Sequence, residues 1–107
     1  ALLPSFRGLD THRRVLKRGA KLHGCTAHFV RHEMDTGPII AQAVLAVRTE
    51  DTAETLGARV LELEHRLYPL ALTLIAEGRV SVDGDRAIVD APALVGDAAL
   101  FNPPDRV

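Results

Sequence analysis

The sequence predicts an α/β fold whose sheet is incomplete, and three observations support this. Two short segments, HGCTAHFV and PIIAQAVLAV, have strand length and the apolar density of buried sheet. Segments with helical apolar spacing flank them, a short one before and a long one after. A buried pair of strands with only two helices leaves sheet surface uncovered. The sheet is therefore expected to continue in residues outside these 107, or in another copy of the chain.

Asp10 is placed to cap a short helix over THRRVLKR, with Lys17 and Arg18 in its last turn and Gly19 as the residue that ends it. In HGCTAHFV, alternation puts Cys25, Ala27 and Phe29 on one face and Thr26, His28 and Val30 on the other. RHEMDTG connects this strand to PIIAQAVLAV, where Pro38 fits only the first position because it cannot donate to a ladder. Asp51-Thr-Ala-Glu54 reads as an acidic capping box opening a long helix over 52–77. Leu56, Val60, Leu63, Leu67, Leu70, Ala71 and Leu74 fall on one face of it, and Gly78 closes it. Pro69 removes the donor for the carbonyl of His65, so a kink is expected there. RVSVDGDRAIV reads as a hairpin turning at Asp83-Gly84. Residues 1–90 form the domain in this reading, and 91–107, with Pro92, Pro103 and Pro104, an irregular tail.

Thirteen basic against fourteen acidic residues leave a net charge of −1, which argues against a general nucleic-acid or anionic-membrane binder. No apolar run approaches the roughly 20 residues of a membrane span. The single Cys25 cannot pair within the chain, which favours a reducing, cytoplasmic setting. The opening ALLPSF, an apolar pair before Pro4 with no Met, reads as a start inside a larger domain.

His23, His28, His32 and Asp35 lie close in sequence, but strand alternation does not make them converge as zinc ligands must, so no metal is expected. On pattern alone His28 is a half-buried histidine bonded to a neighbour, and Cys25 a small buried hydrophobe with no activating base. Glu64 is by default a solvated helix carboxylate, and Asp35 a turn former, since Asp-x-Gly suits tight turns. Glycine-rich phosphate loops, Gly-x-Ser-x-Gly elbows and Cys-x-x-Cys pairs are absent.

Three stretches in register, LLPSFRGLDTH, HGCTAHFVRHEMDTGPIIAQ and EHRLYPLAL, resemble the C-terminal half of the phosphoribosylglycinamide formyltransferase family, over residues 2–80. The resemblance implies one mixed sheet with flanking helices, completed by an N-terminal half, with folate in the cleft between the halves. It implies 10-formyl-tetrahydrofolate as cosubstrate and glycinamide ribonucleotide as acceptor. The family's catalytic group is an Asn, a His and an Asp. The Asn and His belong to an Asn-x-His-Pro-Ser motif just before Leu-Leu-Pro, and Ala1 stands at its Ser position. Of the three, only Asp35 has a counterpart in these residues, so the 107 residues alone are expected to be inactive.

The resemblance also assigns Val30, Arg31, His32, Glu33, Met34 and Asp35 to the folate-pocket loop and Glu64 to the ribonucleotide. It makes His28 a supporting residue, and His12 and His23 structural. Two other readings compete with the transferase. One is formyl-tetrahydrofolate hydrolase, which shares the Asp-x-Gly-Pro loop; the other is a non-catalytic fragment that self-associates or complements a partner.

Overall fold

The computed structural model describes residues 1–33 and 36–91. Its elements are α1 (Thr11–Arg18), β1 (Leu22–His28), β2 (Ile39–Ala46), α2 (Ala53–Ala76), β3 (Val80–Asp83) and β4 (Arg86–Val89), in the order expected from the sequence. The expected irregular tail lies outside the described residues, apart from its first residue.

Gly19 ends α1 with φ at 75°, and its amide donates to the carbonyls of Val15 and Leu16. Asp10, however, does not cap this helix through its side chain. An N-cap carboxylate reaches the first-turn amides from extended backbone. Asp10 is instead left-handed, at φ 56°. The guanidinium of Arg14 holds the preceding loop, donating from Nη2 to the Phe6 carbonyl at 2.6 Å.

β1 and β2 pair antiparallel, with Cys25 opposite Ala43 and Thr26 opposite Gln42. The register slips between Ala27 and His28, so that His28 faces Ile39 and Ile40 is the extra residue. One face carries Cys25 and Ala27 into a core with Val60, Leu67 and Ala71 of α2, flanked by Ile40, Ala43 and Leu63. On the other side Thr26 Oγ1 donates to the Ala1 carbonyl at 2.8 Å and accepts from the Leu3 amide at 3.0 Å. Gln42 Nε2 donates to the Leu3 carbonyl at 2.6 Å, so the N-terminal segment is tied across this face. A single irregular strap covers less than a helix layer does. β2 is accordingly half-buried along most of its length, rather than buried on both faces as its apolar density suggested.

Thr52, not Asp51, caps α2. Its hydroxyl accepts from the Thr55 amide, and the Thr55 hydroxyl accepts from the Thr52 amide. Asp51 sits one residue too early and serves the corner instead. Its carboxylate accepts from the Arg48 amide at 2.8 Å and from Arg59 at 2.7 Å, while Arg59 also reaches the Ala46 carbonyl. Burial alone would raise the Asp51 carboxyl, but those hydrogen bonds, that of Thr55 and the Arg59 charge outweigh it and hold the group below its usual 3.8.

Leu56, Val60, Leu67, Ala71 and Leu74 are buried as the spacing predicts, whereas Leu70 is 51% exposed. Leu70 lies 100° of helical rotation from Ala71, off the packed stripe. The helix runs through Pro69 without interruption. Arg79 donates to Leu74 and Gly78 to Ile75, the double bond that closes a helix on a left-handed glycine. In the hairpin Asp83 pairs with Arg86, so the two-residue loop is Gly84-Asp85, one position later than the sequence suggested. Gly84, at φ 62°, takes the first loop position, where glycine relieves the strain of a primed turn. Among the described residues no helix is long and apolar enough to cross a membrane.

Candidate functional site

β1 and β2 deliver a loop, residues 30–37, to the end of the sheet opposite α1. The Phe29 amide donates to the Pro38 carbonyl at 3.0 Å and closes its base. Gly37 is buried there against Phe29, where a Cβ would stand 1.5 Å from the Phe29 oxygen and 2.5 Å from its carbonyl carbon. Both obstacles are backbone, so no side chain fits. That is why the sequence has glycine at this point, and the reason is close approach rather than a left-handed turn. The same Phe29 oxygen accepts from His28 Nδ1 at 2.7 Å, which fixes the proton on Nδ1. His28 is therefore the half-buried, neighbour-bonded histidine that strand alternation predicted. Thr36 closes the loop's far side by donating to the Glu33 carbonyl at 2.9 Å.

Arg31, His32 and Glu33 share an open cleft with Thr36 and Asp85, the last from the β3–β4 turn. Val30 projects elsewhere. It is 90% exposed and borders an apolar groove with His28, Phe29, Tyr68, Leu72 and Ile75. Met34 and Asp35, which complete the predicted loop, lie outside the described residues. Glu64 lines neither cleft. It is half-buried on α2, where its carboxylate acts on two neighbours. Burial raises the Cys25 thiol and the Tyr68 phenol, and the Glu64 charge raises both further. A thiol held protonated in this way is a packing group and not a nucleophile.

A second polar cluster lies on the α1 side. His12 Nδ1 and His23 Nε2 are 3.1 Å apart, with their rings edge to face. A hydrogen bond here needs one nitrogen with a proton and one without. His23 is 1% exposed, and its pKa is pushed down from 6.5 to about 4 by burial first and then by nearby positive charge, that of His12 included. Gly57 leaves room for His12, since a Cβ there would meet its ring at 3.1 Å. The two histidines thus join α1 to β1 and α2. Among the described residues no three His, Cys, Asp or Glu side chains gather as a metal site requires.

This geometry combines a glycine-pinched loop at the end of an antiparallel pair with a helix carrying a half-buried carboxylate beside it. Residues 1–72 match the family model described as formyl transferase. The chain belongs to the formyl transferase family. It is 40% identical over 94 residues to the phosphoribosylglycinamide formyltransferase of Escherichia coli, covering 88% of this chain and 44% of that protein. The crystal structure of glycinamide ribonucleotide transformylase 1 from Symbiobacterium toebii superposes with a TM-score of 0.81 at 49% identity, over 82% of this chain and 42% of that one. A formyltetrahydrofolate deformylase from Pseudomonas syringae superposes with a TM-score of 0.78 at 36% identity, over 81% of this chain and 29% of that one. The chain thus spans less than half the length of these relatives, and its α/β architecture is a part of the formyltransferase fold.

Sequence reasoning missed Asp85 as a wall of the loop's cleft, and Thr26 and Gln42 as the anchors of the N-terminal strap. Asp85 meets Arg31 across 54 residues, and Thr26 meets Leu3 across 23, so no local pattern could have announced either. Gly37 could have been weighted more heavily, because a glycine followed by the first proline of a strand suggests close backbone approach.

Proposed function

We propose that this chain carries the folate loop and part of the ribonucleotide site of an enzyme that transfers a formyl group from 10-formyl-tetrahydrofolate to the amine of glycinamide ribonucleotide. The observation that carries the reading is the superposition on a glycinamide ribonucleotide transformylase at 49% identity, with the loop of residues 30–37 inside the matched region. Similarity to the deformylase is lower, at 36%. A deformylase would deliver the same formyl group to water, and the EHRLYPLAL and HGCTAHFV stretches favour the transferase.

In this mechanism the substrate amine attacks the formyl carbon and creates a tetrahedral oxyanion. The amine gives up a proton, and the folate nitrogen takes one as it leaves. Asp35 pairs with a histidine and holds it as imidazolium, the better donor to the oxyanion, while ordering the water that relays the proton. An asparagine supplies a second oxyanion donor. Both partners come from the Asn-x-His-Pro-Ser motif that precedes Leu-Leu-Pro in the family. Residues 30–35 hold the pterin largely through backbone groups, and His28 supports the loop from its strand. With one of the three catalytic groups, the 107 residues by themselves transfer no formyl group.

The apolar side chains left exposed on α2, with Leu72 at 66% and Tyr68 at 44%, support docking of the rest of the domain, or of a second copy, against this face. The reaction belongs to purine biosynthesis, and the single Cys25 favours a reducing, cytoplasmic setting for it. Ribonucleotide-dependent loss of formyl-folate by the full-length protein tests the reading, and loss that proceeds equally without ribonucleotide would replace it with the hydrolase.

A further inference from the structure

Arg31 is the loop residue with the farthest reach. Its Nη1 donates to Asp85 Oδ1 at 2.5 Å, and its Nη2 donates to the Gly84 carbonyl at 2.5 Å. One planar guanidinium thus holds both residues of the β3–β4 turn, a carboxylate and a backbone oxygen, across 53 and 54 residues of chain. The hairpin follows residue 72, where the match to the family model stops, so the contact joins the shared loop to a segment the model does not cover.

The turn and the loop also share surfaces. Asp85 lines the cleft formed by Arg31, His32, Glu33 and Thr36. It lines a second cleft with Thr36, Gly37 and Arg7 as well. The rest of the loop is held at its base by the Phe29–Pro38 hydrogen bond and by the packing of Gly37. Its outer arm, residues 31–33, is held by Thr36 and by the Arg31 fork.

We propose that the Arg31–Asp85 contact is a clamp that sets the shape of the folate loop, with Arg31 and Asp85 as positioning residues and the hairpin as their rigid support. This rests on the assignment of residues 30–35 to the folate. An ion pair as exposed as this one, with side chains 40% and 90% accessible, contributes little to global stability. Its effect is local. Releasing it frees the outer arm and lowers the fraction of loops in binding shape, and the apparent affinity for formyl-folate falls by that fraction. A loop that must be reordered on binding weakens KM, whereas the chemical groups, once assembled, act at an unchanged rate.

Amide hydrogen exchange and steady-state kinetics on the full-length protein test the clamp together. Asp85 is exposed, so Asp85→Ala leaves the fold intact. At low salt it is expected to speed exchange in residues 30–33 two- to fivefold and to raise KM for formyl-folate by a similar factor, with kcat within twofold. Asp85→Asn keeps an acceptor and should restore part of both. Arg31→Lys keeps the charge but loses the fork, and should speed exchange in residues 30–33 as Asp85→Ala does. In 1 M salt, where the screening length is roughly 3 Å, wild type and Asp85→Ala should converge. Unchanged exchange in both Asp85→Ala and Arg31→Lys overturns the clamp, and faster exchange with an unmoved KM overturns its positioning role. A wild-type protein without formyl transfer would defeat the functional reading instead, leaving the exchange comparison to decide the clamp.

Discussion

Protonation of His23 should destabilise this protein in mild acid, and the size of the effect follows from its burial. The folded-state pKa lies near 4 and the ordinary value is 6.5. The folded form therefore favours neutral imidazole. Above pH 6.5 both states are neutral and the group contributes no pH dependence. Between pH 6.5 and 4 the unfolded chain takes up a proton that the folded chain refuses, so stability falls as pH falls. Below about 4 both states are protonated and the loss is complete. The difference of the two values corresponds to about 3 kcal/mol, at about 1.4 kcal/mol per pH unit within the window. The hydrogen bond to His12 points the same way, since two doubly protonated rings cannot share a proton at 3.1 Å. Urea denaturation at half-unit steps from pH 8 to pH 4, on wild type and on His23→Gln, isolates the term. The variant should be less stable at pH 8 but should lose its stability more gently towards pH 4. Asp51, whose carboxyl is held below 3.8, adds its own loss only under more acidic conditions and does not confuse the window. Parallel curves for the two proteins across pH 6.5 to 4 would refute the assignment.

Two further substitutions probe the site and its frame. Gly37→Ala forces a Cβ to within 1.5 Å of the Phe29 oxygen, so the loop base must open. A stability loss of about 1–3 kcal/mol is expected from overpacking of this kind, with weaker formyl-folate binding, and denaturation plus ligand titration would show it. Glu64→Gln should raise KM for the ribonucleotide about tenfold, the scale of one lost hydrogen bond to a charged group, while KM for formyl-folate stays within twofold. Equal changes in both constants would remove Glu64 from the ribonucleotide site.

The parts of the fold legible in the sequence are those whose cause is local. Gly19 and Gly78 end their helices with the left-handed backbone that their positions implied. The stripe Leu56, Val60, Leu67, Ala71 and Leu74 packs as its spacing required. Errors of one residue arose where two local solutions compete: Thr52 over Asp51 as the cap, and Gly84-Asp85 over Asp83-Gly84 as the turn. In each case the backbone geometry, which a residue pattern does not carry, decides. The cover on the sheet's second face and the Arg31 fork depend on contacts between distant segments and had no local signal.

The candidate site was legible only through resemblance. Alternation placed His28 correctly, and register with a family singled out Asp35, which pattern alone treats as a turn former. Family membership now rests on the match over residues 1–72.

The central claim is that Asp35 tunes a histidine for formyl transfer to a ribonucleotide amine. The most direct measurement is the steady-state rate of ribonucleotide-dependent formyl transfer by the full-length protein and its Asp35→Asn variant. The mechanism predicts a kcat lowered by about 10²–10⁴-fold, the usual contribution of a positioned acid or base, with both KM values within a fewfold of wild type. An Asp35→Asn enzyme that retains kcat while its KM for formyl-folate climbs would contradict it, and would return Asp35 to the role of a residue that shapes the loop.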